Sequence, residues 1–131
     1  MSRYTHEGLT KSRRDDIESL AYITMELVNG FLPWDDLRGM DLMTKFEEIY
    51  CQKTHTNWEE YCYDLPPVFL EFMHYATEMA FYECPRYQYW INKFMREATI
   101  RLGSNPIERN ATLLSKLSNG ANEEKLMKKF D

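Results

Sequence analysis

No apolar run in this chain approaches the ~20 residues needed to cross a bilayer, so no membrane association is expected. The opening MSRYTHEG is charged where a signal peptide would be apolar. Basic residues are in deficit. Sixteen Lys and Arg against 21 Asp and Glu leave a formal net charge of -5, and a nucleic-acid binder needs the opposite surplus to displace counterions from phosphates. Cysteines are few: Cys51, Cys62 and Cys84 are odd in number and contain no C-x-x-C pair, which suits a reducing compartment better than a disulfide framework. A cytoplasmic or nuclear protein is expected, and without a secretory route the sequon Asn110-Ala111-Thr112 is incidental. Strand-like alternation is lacking as well.

What the chain does have is enough apolar material, 44% with 15% aromatic, to build the core of one domain. The stretch that organises it is Ser12 to Trp34. Ser12 stands three residues before Asp15, the spacing at which a hydroxyl and a carboxylate satisfy the free N–H groups of a helix start. Ile17, Leu20, Ala21, Ile23, Leu27 and Val28, with Tyr22 and Met25, cover nearly every side of the helix that follows, so it calls for burial all round. Asn29-Gly30 supplies a left-handed end, and Pro33 prevents the helix from resuming.

Further helices follow from apolar spacing. Leu42, Phe46, Ile49 and Tyr50 mark an amphipathic one. Val68, Phe69, Phe72, Met73, Ala76, Met79 and Ala80 mark another, opened by Pro66-Pro67, where a missing N–H costs little. A last one runs from Tyr87 to a stop at Gly103. The expectation is an all-α domain over 1–103 with four principal helices near 13–29, 41–52, 66–82 and 87–102. Residues 1–11 and the run from Lys53 to Asp64 read as irregular. Residues 104–131, rich in Ser, Asn and Gly with only short amphipathic turns, read as a flexible tail.

The motif Ser12-Arg13-Arg14-Asp15-Asp16-Ile17-Glu18-Ser19-Leu20-Ala21-Tyr22, preceded by Thr5-His6-x-Gly8 and followed by Leu32-Pro33-Trp34, resembles the F-helix region of the casein kinase 1 family of Ser/Thr protein kinases. Pro85, Tyr87, Tyr89 and Phe94 resemble the last helix of the same catalytic domain. The resemblance implies the helical C-lobe portion of a protein-kinase fold, from the end of the activation segment onward. It also implies a family activity, Mg-ATP-dependent phosphorylation of protein Ser and Thr. Asp16 stands where the family's F-helix aspartate accepts backbone hydrogen bonds from the catalytic loop; without that loop, Asp15 and Asp16 favour the helix dipole. Lys45 matches one basic residue of the pocket with which the family reads a phosphate already on its substrate. Asp36 departs from the usual glycine there, and Leu42 and Met43 from usual basic residues, and a carboxylate beside such a pocket repels phosphate.

A kinase also needs a Gly-rich phosphate loop, a strand Lys, an H-R-D-like catalytic loop and a D-F-G metal ligand, none of which occurs in these residues. No catalytic, cofactor-binding or metal residue is therefore assigned. Cys51, His55 and Cys62, with His74 and Cys84 further on, fit no ordinary zinc spacing. The many aromatic residues suit packing between helices better than base stacking, since no basic residues are interleaved. Two function classes remain: part of a casein kinase 1-like enzyme that is inactive as this chain alone, or a non-catalytic helical interaction module or pseudokinase remnant. Either way, apolar surface of the Ile17 to Leu27 helix that a whole kinase covers is expected to stay wet. It would be covered by the missing kinase portion, another protein partner or a second copy of the chain.

Overall fold

Helix follows helix through residues 1–103, the part of the chain that the computed structural model describes. The order is α1 (Arg3–His6), α2 (Arg13–Asn29), α3 (Leu42–His55), α4 (Trp58–Tyr61), α5 (Pro67–Glu78) and α6 (Tyr87–Leu102). No strand occurs among the described residues, so the fold is all-α as expected. The tail expected at 104–131, with its short amphipathic turns and its sequon, lies outside the described residues.

The four long helices stand close to their expected places, though α3 runs on through His55, so Lys53 to His55 are helical where an irregular run was expected. Helix α2 has the expected bounds: Asp15 Oδ2 accepts from the Ser12 N–H at 2.6 Å as one arm of a capping box, and Gly30 ends the helix with φ at 82°. Asp41 lies outside α3 as its N-cap, accepting from Thr44 N at 2.7 Å. Helix α5 stops at Glu78, short of the expected 82. There Met79 takes an extended conformation (φ -61°, ψ 135°) and turns its side chain into the core at 2% exposure. Helices α1 and α4 replace stretches expected to be irregular. Each has four residues, too few for apolar periodicity to appear, and each starts at a side-chain cap, Ser2 for α1 and Asn57 for α4.

Met1–Tyr87 forms one compact unit, and the described residues from Gln88 onward belong to a second. In the first, α2 packs against α5. Ile17, Ala21, Tyr22 and Met25 of α2 are buried, as are Val68, Phe72, Met73 and Ala76 of α5. Leu32, Trp34 and Leu37 from the connection after α2, and Trp58 from α4, join them. The aromatic members meet mainly edge to face: Trp34 lies 5.0 Å from Tyr22 and 6.3 Å from Trp58, while Tyr22 and Trp58 stack at 6.0 Å. The Tyr61 hydroxyl ties α4 to the end of α2 by donating to the Phe31 carbonyl.

In the second unit, α6 carries its own ladder of neighbours. Lys93 lies over the rings of Tyr89 and Trp90, and Arg101 pairs with Glu97 at 2.5 Å one turn earlier.

Candidate functional site

One side of α2 is given over to buried carboxylates. Asp15 Oδ1 accepts from the Ser2 hydroxyl at 2.5 Å while its other oxygen caps the helix. Three residues on, Glu18 is fully buried, and a single oxygen, Oε1, accepts from the Arg3 backbone N–H at 3.0 Å, Arg3 Nε at 3.0 Å and the Tyr22 hydroxyl at 2.5 Å. Arg3 Nη2 reaches on to the Thr77 carbonyl at 2.7 Å, so one guanidinium joins α1, α2 and α5. Burial works against the charge of Arg3, but the hydrogen bond and charge of Glu18 raise its pKa on balance. Burial, followed by the Glu18 charge, pushes the Tyr22 phenol far above its ordinary range. Sequence reasoning did not find Glu18 or Arg3 as partners. An acidic residue on a helix ordinarily faces water, and nothing local shows that Arg3 will fold back over it.

Beside this cluster Lys53 of α3 is 6% exposed. Its ammonium donates to the Met1 carbonyl at 2.6 Å, touches His6 Nε2 at 3.1 Å, and lies 5.1 and 5.2 Å from the ring centres of Tyr22 and Trp34. Burial pushes its pKa down to about 8, with the Glu18 charge a smaller opposing influence.

The opposite side of α2 faces water. Asp16, Leu20, Ile23 and Leu27 are spaced four, three and four residues apart, which aligns them on one face, and all four are exposed. Leu20 is 48% exposed, Ile23 52% and Leu27 80%, and Phe31 just past the helix is exposed too. Of the expected apolar surface, Ile17, Ala21, Tyr22 and Met25 are covered and this stripe is not.

Lys45 is exposed on the first turn of α3. Leu42 and Met43 beside it are exposed as well, and Asp36 pairs at 3.9 Å with Arg38, both side chains standing almost wholly in solvent. The cysteines are not gathered together. Cys51 lies 3.6 Å from His55 Nδ1 on α3, whereas Cys62 is buried against Met25 Sδ at 3.8 Å, where burial pushes its thiol up to about 11. Cys84 lies 3.5 Å from Arg13 Nη1 at the start of α2. Among the described residues no group of three or more His, Cys, Asp or Glu side chains is arranged to hold a metal ion.

No protein-family model matches the chain. Among curated proteins it is similar to casein kinase I homolog 1 of Schizosaccharomyces pombe, with 40% identity over 89 residues. That match takes in 68% of this chain and 20% of the relative, so the chain spans about a fifth of the length of the protein it matches. The capped α2 with its SRRDD start, the buried Leu32 and Trp34 of the Leu32-Pro33-Trp34 turn after it and this identity agree, and the chain belongs to the casein kinase 1 family as a portion of its helical C-lobe.

Proposed function

We propose that this chain serves as the C-lobe portion of a casein kinase 1-type Ser/Thr protein kinase and has no kinase activity by itself. The activity inferred for the whole protein is transfer of the ATP γ-phosphate to protein hydroxyls. Catalysis of that reaction rests on positioning and on stabilising charge with a phosphate-cradling loop, a Lys and Mg2+ ligands, and these residues supply none of them. The observation that carries the reading is the exposed face of α2. A carboxylate, Asp16, heads a stripe of three large aliphatic side chains in water, as suits a helix that receives other chain along that side. The occupant would be the remainder of a kinase domain, another protein partner, or a second copy of this chain. Lys45 is the residue that would meet a phosphate on the substrate, with Asp36 opposing it.

The loss of basic residues at 42 and 43 favours a second reading, a non-catalytic interaction module or pseudokinase remnant, because it removes charge from the site that reads substrate. Calorimetry with Mg-ATP and phosphate transfer to an acidic, casein-like peptide test the proposal. Neither binding nor transfer is expected of the purified chain, and stoichiometric nucleotide binding would overturn it.

A further inference from the structure

We infer that α1 is an acid-released latch, docked while His6 is neutral and freed when His6 takes up a proton. Helix α1 meets both α2 and α3. Its His6 ring lies 4.4 Å from Phe46 and 5.7 Å from Tyr50 of α3, tilted by 46° and 44° to them, so the imidazole is held against two aromatic rings. His6 Nε2 sits 3.1 Å from Lys53 Nζ, and because an ammonium can only donate, Nε2 accepts and the ring proton resides on Nδ1. Nδ1 is buried with no hydrogen-bond partner. The next proton must therefore go to Nε2, the atom that faces the ammonium, and would set two cations side by side.

The groups around His6 agree on the direction. Burial is the largest influence holding its pKa below the ordinary value; Lys53 of α3 and the Met1 amino group add to it, and Glu18 of α2 opposes them. Tyr50 of α3 is neutral and engaged with Glu7 of α1. Because the docked state binds the proton less readily than the released one, docking is at full strength above the ordinary histidine range near pH ~6.5. It weakens as pH falls through the lowered docked value. Release would uncover Asp15 and Glu18, whose partners Ser2 and Arg3 leave with α1.

Hydrogen exchange of the full 131-residue chain tests this through the amides that close α1, Glu7 N–H to the Arg3 carbonyl and Leu9 N–H to the Tyr4 carbonyl. Between pH 7.5 and pH 5, after correction for intrinsic rates, their protection should fall by about tenfold per unit of difference between docked and released pKa. The Gly30 amide, bonded to Glu26 at the far end of α2, should hold. His6→Phe keeps the ring on Phe46 but cannot protonate, so it should abolish the acid response, whereas Lys53→Met removes the opposing cation and leaves burial in place, so it should only reduce that response. Protection independent of pH in the unaltered chain overturns the proposal, as does a response that survives His6→Phe. If either variant does not fold, NMR titration of the His6 ring in the unaltered chain decides. A value below that of a free histidine supports the latch, and one at or above it overturns it.

Discussion

Arg3 and Glu18 meet twice through one oxygen: Oε1 of the fully buried carboxylate accepts both the backbone N–H and the Nε–H of Arg3, each at 3.0 Å. Removing the Arg3 side chain leaves the fully buried Glu18 carboxylate without its cation, and a buried charge left alone ordinarily costs about 3–5 kcal/mol. That is a large share of the ~5–15 kcal/mol holding an ordinary domain together. Arg3→Met should therefore lower the urea midpoint well below that of the unaltered protein. A midpoint moved by less than ~1 kcal/mol would show that the pair does not hold α1 in place.

Neighbouring residues of α2 should respond in opposite ways. Met25 is fully buried, and Met25→Ala is expected to cost about 2–5 kcal/mol. Leu27 is 80% exposed, and Leu27→Ser should change stability by no more than ~0.5 kcal/mol while reducing hydrophobic-dye binding and self-association. Leu20→Ser should behave like Leu27→Ser. Dye fluorescence and sedimentation measured on all three variants check this, and an unfolded Leu27→Ser chain would mean that the stripe is core.

Alkaline pH should stabilise the protein before it destabilises it. Lys53 releases its proton near pH 8 in the folded chain and near ~10.4 when unfolded, so between those values the unfolded state binds more protons and stability rises with pH. Cys62 and Tyr22 act in reverse: the folded state keeps the thiol proton up to about 11 and the phenolic proton above pH ~10, where the unfolded chain loses them, so the Lys53 gain is offset above pH ~9 and stability then falls. Urea midpoints from pH 7 to 11 should pass through a maximum near 9 to 10. Lys53→Met should remove the rising limb and leave the falling one.

Gly30 has φ at +82°, and a Cβ placed there would meet nothing within 4 Å. Gly30→Ala should thus cost only the left-handed backbone preference, about 1–2 kcal/mol, with the fold intact. A larger loss would point to a contact at the end of α2 in addition to the backbone term.

Structure set by neighbours in sequence was readable; structure set by distant pairing was not. The bounds of α2 follow from Ser12 with Asp15 at one end and Asn29-Gly30 at the other, all local signals. The wet stripe was half visible. Apolar residues on every side mark α2 as needing cover, but which side α5 takes depends on Val68, Phe72 and Met73 more than forty residues downstream. Asp15 could be read as a cap, yet its other oxygen serves Ser2 thirteen residues away. Lys53 read as part of a loop-like run. Its burial depends on Tyr22, Trp34 and the Met1 carbonyl, which its own neighbours do not foretell.

Arg3 donates to the carbonyl of Thr77, 74 residues later, and this gives the molecule a timetable during synthesis. A ribosome adding about 5–20 residues per second delivers Thr77 roughly 4–15 s after Arg3. Glu18 is made after only 15 residues, so the ion pair has its members early, whereas the brace across α5 waits for nearly the whole first unit to be translated. Through that interval the underside of α2 has no α5 to lie against, and a nascent chain halted before Thr77 would offer a chaperone Met25 and Tyr22 as well as the stripe that stays in water afterwards.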